Sequence, residues 1–315
     1  MCGIVGAVAE RDVVPILIEG LRRLEYRGYD SAGVAVLNGT GKIKRLRTVG
    51  KVRTLQDALD TDPTHGQLGI AHTRWATHGV PSERNAHPHI SKDGIAIVHN
   101  GIIENHEELR DELKKLGYEF TSETDTEVIA HRIHHHLKST HDLFKAVRAT
   151  VAELEGAYAL AVISQADPER LVLAREGCPV VVGLGEEENF VASDVAALLP
   201  VTKKFIFLEE GDVAEVRRKS VRVLDHDGNT VQRKVHESEL SADAAEKGDF
   251  PHYMLKEIYE QPRAVAQTLE ERVAGGKLLE AAFGPAAQAV FAKTEAVRIV
   301  ACGTSFHAAS VAKYF

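Results

Sequence analysis

A chain of 315 residues is long enough for about two domains, and 44% apolar residues are ample for a packed core. The net charge of -8 and the lack of a long basic block argue against a nucleic-acid-binding surface. Three scattered cysteines without a Cys-x-x-Cys pair argue against a disulfide framework or a zinc site, so we expect a cytoplasmic protein. We expect no signal peptide and no membrane span, because no stretch approaches ~20 apolar residues.

The first residues after the initiator, Cys2-Gly3-Ile4-Val5-Gly6, carry the first candidate for chemistry. Removal of Met1 would leave Cys2 with both a thiol, of ordinary pKa about 8.5, and a free α-amine of pKa about 7.7 to 8.0. The amine can hold the proton that the thiol gives up, so Cys2 is a candidate N-terminal nucleophile. The alternative is an ordinary buried strand in which the cysteine is a small apolar side chain.

The first half of the chain predicts a mixture of helices and short strands. Asp12 is predicted to cap a helix that ends near residues 27–28, and Asn105 and Thr124 are predicted to cap two more, with Glu108 and Glu127 as capping-box partners. Strands are predicted at 33–37 and 43–49, joined as a hairpin, at 68–72, and at 95–99, where Asn100-Gly101 ends the strand.

From residue 157 onward the pattern changes to short strands separated by turns such as Asp167-Pro168 and Asp227-Gly228. Because the helices are grouped rather than alternating with these strands, we expect an α+β fold of stacked antiparallel sheets with helices outside. The predicted strands are 157–163, 171–174, 180–184, 190–192, 205–208, 213–216, 221–224 and 230–235.

A polar segment at 236–251 predicts a linker, and we divide the chain into domains of residues 1–240 and 241–315. Helices are predicted around 255–259 and 265–269. A strand at 297–301, a turn at 302–305 and a helix from Phe306 predict one strand-turn-helix unit of a parallel sheet. Parallel sheets need both faces covered, so we expect this second domain to be truncated.

Three polar segments are further candidates for a functional site. Asn100 and Gly101 could donate hydrogen bonds to the oxyanion formed when a thiolate attacks an amide, where losing one donor typically costs about 2.7 to 4 kcal/mol. Arg74 could grip a carboxylate beneath a lid that carries Trp75, and Asp125 could receive an ammonium group. The alternatives are an Asn-Gly turn, a surface salt bridge beside a packed tryptophan, and an acidic residue in a helix's first turn.

The run His134-His135-His136 does not predict a metal site. Consecutive helical residues diverge by about 100° and cannot share one ion, and His131 with His135 lacks the intervening glutamate of a zinc helix. We therefore expect a solvated helix face here and no bound metal.

Taken together, these segments closely resemble the class II glutamine amidotransferases over roughly the first 240 residues. The later residues 252–262 and 301–305 resemble the start of a sugar isomerase domain. The pairing of the two is similar to the glutamine:fructose-6-phosphate aminotransferase family. The segments that carry the first resemblance are 2–6 (CGIVG), 25–33 (EYRGYDSAG), 72–79 (HTRWATHG), 85–88 (NAHP), 99–101 (HNG) and 124–127 (TDTE).

The resemblance implies an N-terminal nucleophile hydrolase fold, a four-layer αββα sandwich, followed by a truncated α/β sugar isomerase domain. It implies Cys2 as the nucleophile with its own amine as base, and Asn100 with Gly101 as the oxyanion hole. The residues implied to contact glutamine or to order the loop that closes over it are Arg74, Thr77, His78, Asp125, Trp75 and Arg27. Thr304 and Ser305 match a sugar-phosphate-binding turn at a helix N-terminus.

In such a protein, attack of the thiolate on L-glutamine releases ammonia, and water then frees glutamate from a γ-glutamyl thioester. The resemblance implies no metal, nucleotide or prosthetic group, and it implies fructose 6-phosphate as second substrate and a homodimer for the full-length protein. We expect this chain to hydrolyse glutamine without making glucosamine 6-phosphate. The alternatives are the glutaminase domain of another class II amidotransferase and a catalytically silent sugar-phosphate sensor, which retention of Met1 would favour.

Overall fold

The computed structural model describes residues 2–238, 248–270, 272–274, 276–284 and 286–314. The chain divides into two compact units, residues 1–246 and residues 247–315. Much of the predicted linker, residues 239–247, lies outside the described residues. The assignment of domains to residues 1–240 and 241–315 therefore stays a prediction.

The first unit contains two sheets in which every neighbouring pair of strands is antiparallel. In chain order its strands are β1 (Gly3–Val8), β2 (Ser31–Asn38), β3 (Ile43–Val49), β4 (Gly66–Arg74), β5 (His89–Ser91), β6 (Ile95–Ile103), β7 (Gly156–Ser164), β8 (Asp167–Glu176), β9 (Val181–Leu184), β10 (Asn189–Ala192), β11 (Lys204–Phe207), β12 (Val213–Val216), β13 (Val221–Leu224), β14 (Thr230–Val231) and β15 (Val235–Glu237). The first sheet has the order β15-β11-β9-β10-β1-β4-β2-β3, and the second has the order β14-β13-β12-β8-β7-β6-β5.

Helices cover the outer face of each sheet. The helices of this unit are α1 (Val14–Arg23), α2 (Val52–Thr61), α3 (His106–Lys115), α4 (Thr126–Thr140) and α5 (Leu143–Val151). Alternate residues of a strand point to opposite faces, so Ile4 packs between the sheets while Val5 packs against α1 and α2. In the same way Val98 faces the first sheet and Ile97 faces α4 and α5. These layers confirm the predicted αββα sandwich.

Several boundaries differ from the predictions because nearby tertiary partners compete for the local hydrogen bonds. The first helix is capped at Val13 and ends at Arg23, and the Asp12 carboxylate is shared between the amides of Val14 and Gly66. Neither predicted capping box is complete. Asn105 directly precedes α3 but its side chain makes no cap bond, and Thr124 Oγ1 accepts from the Glu127 amide at 3.4 Å without the reciprocal bond. The Asn105 side chain bonds the main chain of Glu153 and Glu155 instead. The Glu127 carboxylate bonds residues 121 and 122.

The strand predictions were wrong chiefly about where strands end. The predicted hairpin is confirmed, but β6 continues through Asn100 and Gly101 to Ile103, because both residues stay paired with β7. Asp167-Pro168 opens β8 rather than forming a turn. The predicted strand at 230–235 is divided between β14 and β15. Helices α2 and α5 and strand β5 were not predicted.

The histidine-rich face of α4 is not the solvated surface that we expected. His134 is only 3% exposed, and its Nδ1 lies 2.7 Å from the Tyr118 hydroxyl. His131 is 5% exposed and bonds Ser91 and the Glu119 carbonyl. The prediction failed because α4 packs between α3, α5 and the second sheet, and each buried imidazole is satisfied by a neighbour.

The second unit consists mainly of helices. Its elements are α6 (Tyr253–Leu269), β16 (Val273–Ala274), β17 (Lys277–Leu278), α7 (Ala287–Phe291) and α8 (Gly303–Ala312). The two predicted helices at 255–259 and 265–269 are one helix that contains Pro262. Residues 297–301 do not form the predicted strand, and Val300 is 99% exposed. A strand requires a pairing neighbour, and the described part of this unit pairs only β16 with β17.

Among the helices that the structure describes, none combines the length and the apolar character needed to cross a bilayer.

Candidate active site

Cys2 directly precedes β1, an interior strand of the first sheet. Its Sγ accepts a hydrogen bond from the Trp75 amide at 3.2 Å, just beyond the end of β4. Its carbonyl oxygen is 3.4 Å from the Asn100 amide nitrogen on β6. The central strands of the two sheets therefore bring Cys2, Trp75 and Asn100 together from positions far apart in sequence.

Burial raises the pKa of the Cys2 thiol, and the Trp75 N–H and the Arg74 charge offset part of this shift. A thiol with a raised pKa is almost entirely protonated at neutral pH, and the thiolate is the nucleophilic form. Reaction at this position therefore requires a base next to the sulfur. After removal of Met1, the α-amine of Cys2 would be such a base within the same residue.

Gly101 has a backbone conformation that only glycine adopts easily, with φ of 129°. A Cβ at this position would lie 1.9 Å from the carbonyl oxygen of Ala157 on the neighbouring strand. The main chain of β6 and β7 therefore approaches more closely here than any other residue type would permit. This approach brings the Gly101 backbone to the lining of the space beside Cys2.

Arg74 lines the same space and has one unsatisfied guanidinium nitrogen. Its Nη2 donates to the carbonyl oxygens of His78 and Gly79. Its Nη1 is buried and makes no hydrogen bond with any described residue, and the nearest carboxylate oxygen, on Asp30, is 3.9 Å away. A buried donor without a partner is costly, so this nitrogen is prepared to receive an acceptor from a ligand.

Asp125 is 4% exposed and immediately precedes α4. Its Oδ2 accepts a hydrogen bond from the Ile103 amide at 2.9 Å, which holds the carboxylate in place. Its Oδ1 lies 3.9 Å from Nδ1 of His78. The carboxylate thus keeps one oxygen without a close hydrogen-bonding partner among the described residues, as a cation-binding group would.

The segment after β4 carries the predicted site residues Trp75, Thr77 and His78, whereas Arg27 follows α1. Trp75 is 55% exposed, and the Thr77 hydroxyl lies 3.3 Å from Nδ1 of His78. Arg27 pairs with Asp194 at 2.5 Å and bonds the Tyr26 hydroxyl. Asp30 accepts the Ala76 amide and so fixes the start of this segment, although the sequence analysis gave Asp30 no role.

Two cavities meet at Cys2. The smaller one, which we call the recess, has a volume of about 10 Å³, roughly the space for one water molecule. The larger cavity has a volume of about 710 Å³ and includes Arg27, Asn100, Ile102 and Cys178 in its lining. The recess is lined by Cys2, Arg74, Trp75, Thr77, His87, His99, Gly101, Thr124, Asp125 and Thr126. Residues Cys2, Trp75, Thr77 and Gly101 line both cavities.

Thr304 and Ser305 belong to the second unit, where they lie in the first turn of α8 and are exposed. Their hydroxyls are next to the free amides of a helix N-terminus. Their predicted role in binding a sugar phosphate stays a prediction.

Three buried histidines, His72, His87 and His89, lie near the recess. His72 and His87 belong to the motifs 72–79 and 85–88, and His89 was not predicted to matter. His72 and His87 stack with ring centroids 4.2 Å apart, and His89 meets His87 edge to face at 4.9 Å. Burial lowers the pKa of all three, that of His72 to about 3. A histidine that directly follows the apolar run 68–71 of β4 was the available signal for His72.

These histidines predict a loss of stability in mild acid. The unfolded chain takes up their protons near pH 6.5 and the folded chain does not, so stability is greatest above pH 6.5 and decreases as pH falls. Each buried histidine should remove about 1.4 kcal/mol of unfolding free energy per pH unit below 6.5. Urea unfolding between pH 7.5 and 5 would measure this slope. Carboxylates with a lowered pKa, such as Glu127, titrate below this pH window and contribute little to the slope. An unchanged free energy of unfolding across that window would contradict the assignment.

Comparison with known proteins agrees with this geometry. The family model for the glutamine amidotransferase domain matches residues 72–200. These residues are therefore similar to a glutamine amidotransferase domain. A glutamine–fructose-6-phosphate aminotransferase (isomerizing) of Shewanella oneidensis is 61% identical over all 315 residues, and one from Pseudomonas aeruginosa is also 61% identical. In both cases the match covers 52% of the relative, so the chain spans about half the length of these curated relatives.

Solved structures agree on the fold of the first unit. A structure titled as the allosteric regulatory enzyme of purine biosynthesis aligns with a TM-score of 0.63 at 25% identity, covering 72% of this chain and 50% of that chain. The glutamine phosphoribosylpyrophosphate amidotransferase of B. subtilis aligns with a TM-score of 0.62 at 24% identity, covering 73% and 50%. The sandwich is thus the N-terminal nucleophile hydrolase fold of these enzymes, as predicted.

Proposed function

We propose that this chain hydrolyses L-glutamine to glutamate and ammonia, with Cys2 as the nucleophile. The observation that carries the proposal is that Arg74, whose Nη1 is unsatisfied among the described residues, lines the same recess as Asp125 and Cys2. An α-amino acid carries one carboxylate and one ammonium group, and these two side chains are their complements. The side-chain amide of glutamine would then reach the thiol.

In the proposed reaction the Cys2 sulfur attacks the side-chain amide carbon, and the thiol proton passes to the α-amine. The negative charge on the amide oxygen is stabilised by donors from Asn100 and Gly101. Collapse of the intermediate breaks the carbon–nitrogen bond, and the proton leaves with ammonia. Water then attacks the thioester carbon, which releases glutamate and restores the thiol.

The recess is too small for glutamine as it stands, so binding requires part of its lining to move. We infer that the segment carrying Trp75 moves, because Trp75 is half-exposed and lines both cavities. Gly79 ends this segment with φ of 73°, a conformation in which glycine gives the chain freedom to bend. Arg27, held by Asp194, would support the segment from the side of the larger cavity.

For the whole protein we propose transfer of the ammonia to fructose 6-phosphate, since the relatives that match the entire chain carry that name. Thr304 and Ser305 would then contribute to binding the sugar phosphate. A homodimer is proposed for the full-length protein on resemblance alone. A cytoplasmic location is proposed because Cys2, Cys178 and Cys302 are all free thiols.

The glutaminase proposal is tested by measuring product release from three substrates. We expect glutamate from L-glutamine without any sugar phosphate, and roughly 10- to 200-fold lower kcat/KM for L-asparagine, which is one methylene shorter. Glutaramate, which lacks the α-amine, should also react poorly because it leaves the Asp125 carboxylate without its cation. No glutamate release from enzyme that has lost Met1, or equal rates for all three substrates, would contradict the proposal.

A further inference from the structure

His72 forms a direct link between the two sheets at the candidate active site. It belongs to β4, paired with Ile4 of β1 and Gly33 of β2, and its side chain is completely buried. Its Nε2 lies 3.0 Å from Oδ1 of Asn100, which belongs to β6 in the other sheet. Losing this bond would be costly because both groups are buried, and Nδ1 of the same ring makes no hydrogen bond with a described residue.

This bond determines which way the Asn100 amide faces. With Oδ1 toward His72, the amide nitrogen lies 3.4 Å from the Cys2 carbonyl oxygen, to which it donates. In the opposite orientation the amide oxygen would face that carbonyl oxygen, and the two acceptors would repel. One N–H of the amide bonds Cys2, which leaves the second available to a ligand, and Asn100 lines the larger cavity.

We propose that His72 is a positioning residue that donates its Nε2 proton to Asn100 and thereby directs the Asn100 amide N–H toward the developing oxyanion. The inference rests on the proposed glutaminase function and deepens it. His72 does not touch the substrate and does not exchange protons with it. Its effect on the reaction passes entirely through Asn100.

The surroundings of His72 hold the ring in the required position and protonation state. The ring stacks on His87 at 4.2 Å with an interplanar angle of 24°, which fixes its rotation. The ring stays neutral above its lowered pKa of about 3, so it carries one proton at neutral pH. That proton lies on Nε2, because an unprotonated Nε2 would face the lone pairs of the Asn100 oxygen at 3.0 Å.

The test compares two substitutions at His72 with one control. His72→Phe removes the donor and should lower kcat by ~10- to 100-fold, part of the 10²- to 10³-fold effect of losing an oxyanion donor, with KM for glutamine changed less than about threefold. His72→Gln carries an amide nitrogen near the position of Nε2 and should restore kcat to within about fivefold of wild type. The control is His131→Phe, which removes another buried, hydrogen-bonded histidine outside both cavities and should leave kcat unchanged.

A double-mutant cycle separates positioning from general damage. In an Asn100→Ala background, His72→Phe should lower kcat no further, because the side chain that His72 orients is absent. If His72→Phe fails to fold, as judged by circular dichroism, His72→Asn replaces it, since asparagine is too short to place a donor at the Nε2 position. Equal loss of kcat in His72→Phe and His72→Gln, a loss expressed mainly in KM, or an additive cycle would overturn the inference. Absence of glutaminase activity in the wild-type chain would instead overturn the proposed function.

Discussion

Replacement of Cys2 by alanine is expected to reduce glutamate release by on the order of 10⁴-fold or more, the usual consequence of removing a catalytic nucleophile. The fold should survive, because the Cys2 side chain contacts the main chain of Trp75 and is not part of the main hydrophobic clusters. A coupled glutamate assay measures the loss, and thermal unfolding followed by circular dichroism checks that the variant is folded.

The matched control for this variant is Cys178→Ala. Cys178 is also a free thiol with a pKa raised by burial, and it lines only the larger cavity. It should retain most of the glutaminase activity. The account would be wrong if Cys2→Ala kept more than about a tenth of the wild-type rate, or if both variants lost activity equally, since only one thiol is assigned as nucleophile.

Replacement of Arg74 by lysine is expected to lower kcat/KM for glutamine by ~10²-fold, mainly through a higher KM. Lysine keeps the positive charge but loses the planar fork, of which Nη2 bonds the His78 and Gly79 carbonyls while Nη1 remains for the substrate. A single ammonium cannot occupy both positions. Initial rates over a range of glutamine concentrations would measure the change.

Arg170→Lys is the control for the arginine substitution. Arg170 is a mostly buried arginine whose carboxylate partners, Asp142, Asp167 and Glu215, lie outside both cavities. This variant should lose some stability and keep the wild-type KM for glutamine. A normal KM in Arg74→Lys, or an equal rise of KM in both variants, would show that Arg74 does not bind the substrate carboxylate.

The sequence was sufficient for the layers of the fold because hydrophobic alternation is local. Ile4 and Val5 point to opposite faces of the first sheet because they are neighbours in one strand. Element ends were harder to predict. Asn100-Gly101 is a turn signal in most sequences, yet here it continues a strand, because the missing Gly101 side chain permits close approach to Ala157.

In the candidate site, too, local motifs could be read from the sequence, whereas contacts between distant segments could not. Motif resemblance singled out Cys2, Arg74 and Asp125, and all three line one recess. The positioning role proposed for His72 could not be predicted, because its hydrogen bond joins two different sheets and depends on their packing. Asp30 was missed for a related reason, since it acts on the Ala76 amide through a contact between separate segments.

The central claim is that Cys2 is an N-terminal nucleophile for glutamine. The most direct test is the intact mass of the purified chain, measured together with glutaminase activity, before and after treatment with a thiol-alkylating glutamine analogue. We expect a mass that lacks Met1, a single label on Cys2, and loss of glutamate release in proportion to labelling. Retention of Met1 in active enzyme, or full activity after Cys2 is labelled, would contradict the claim.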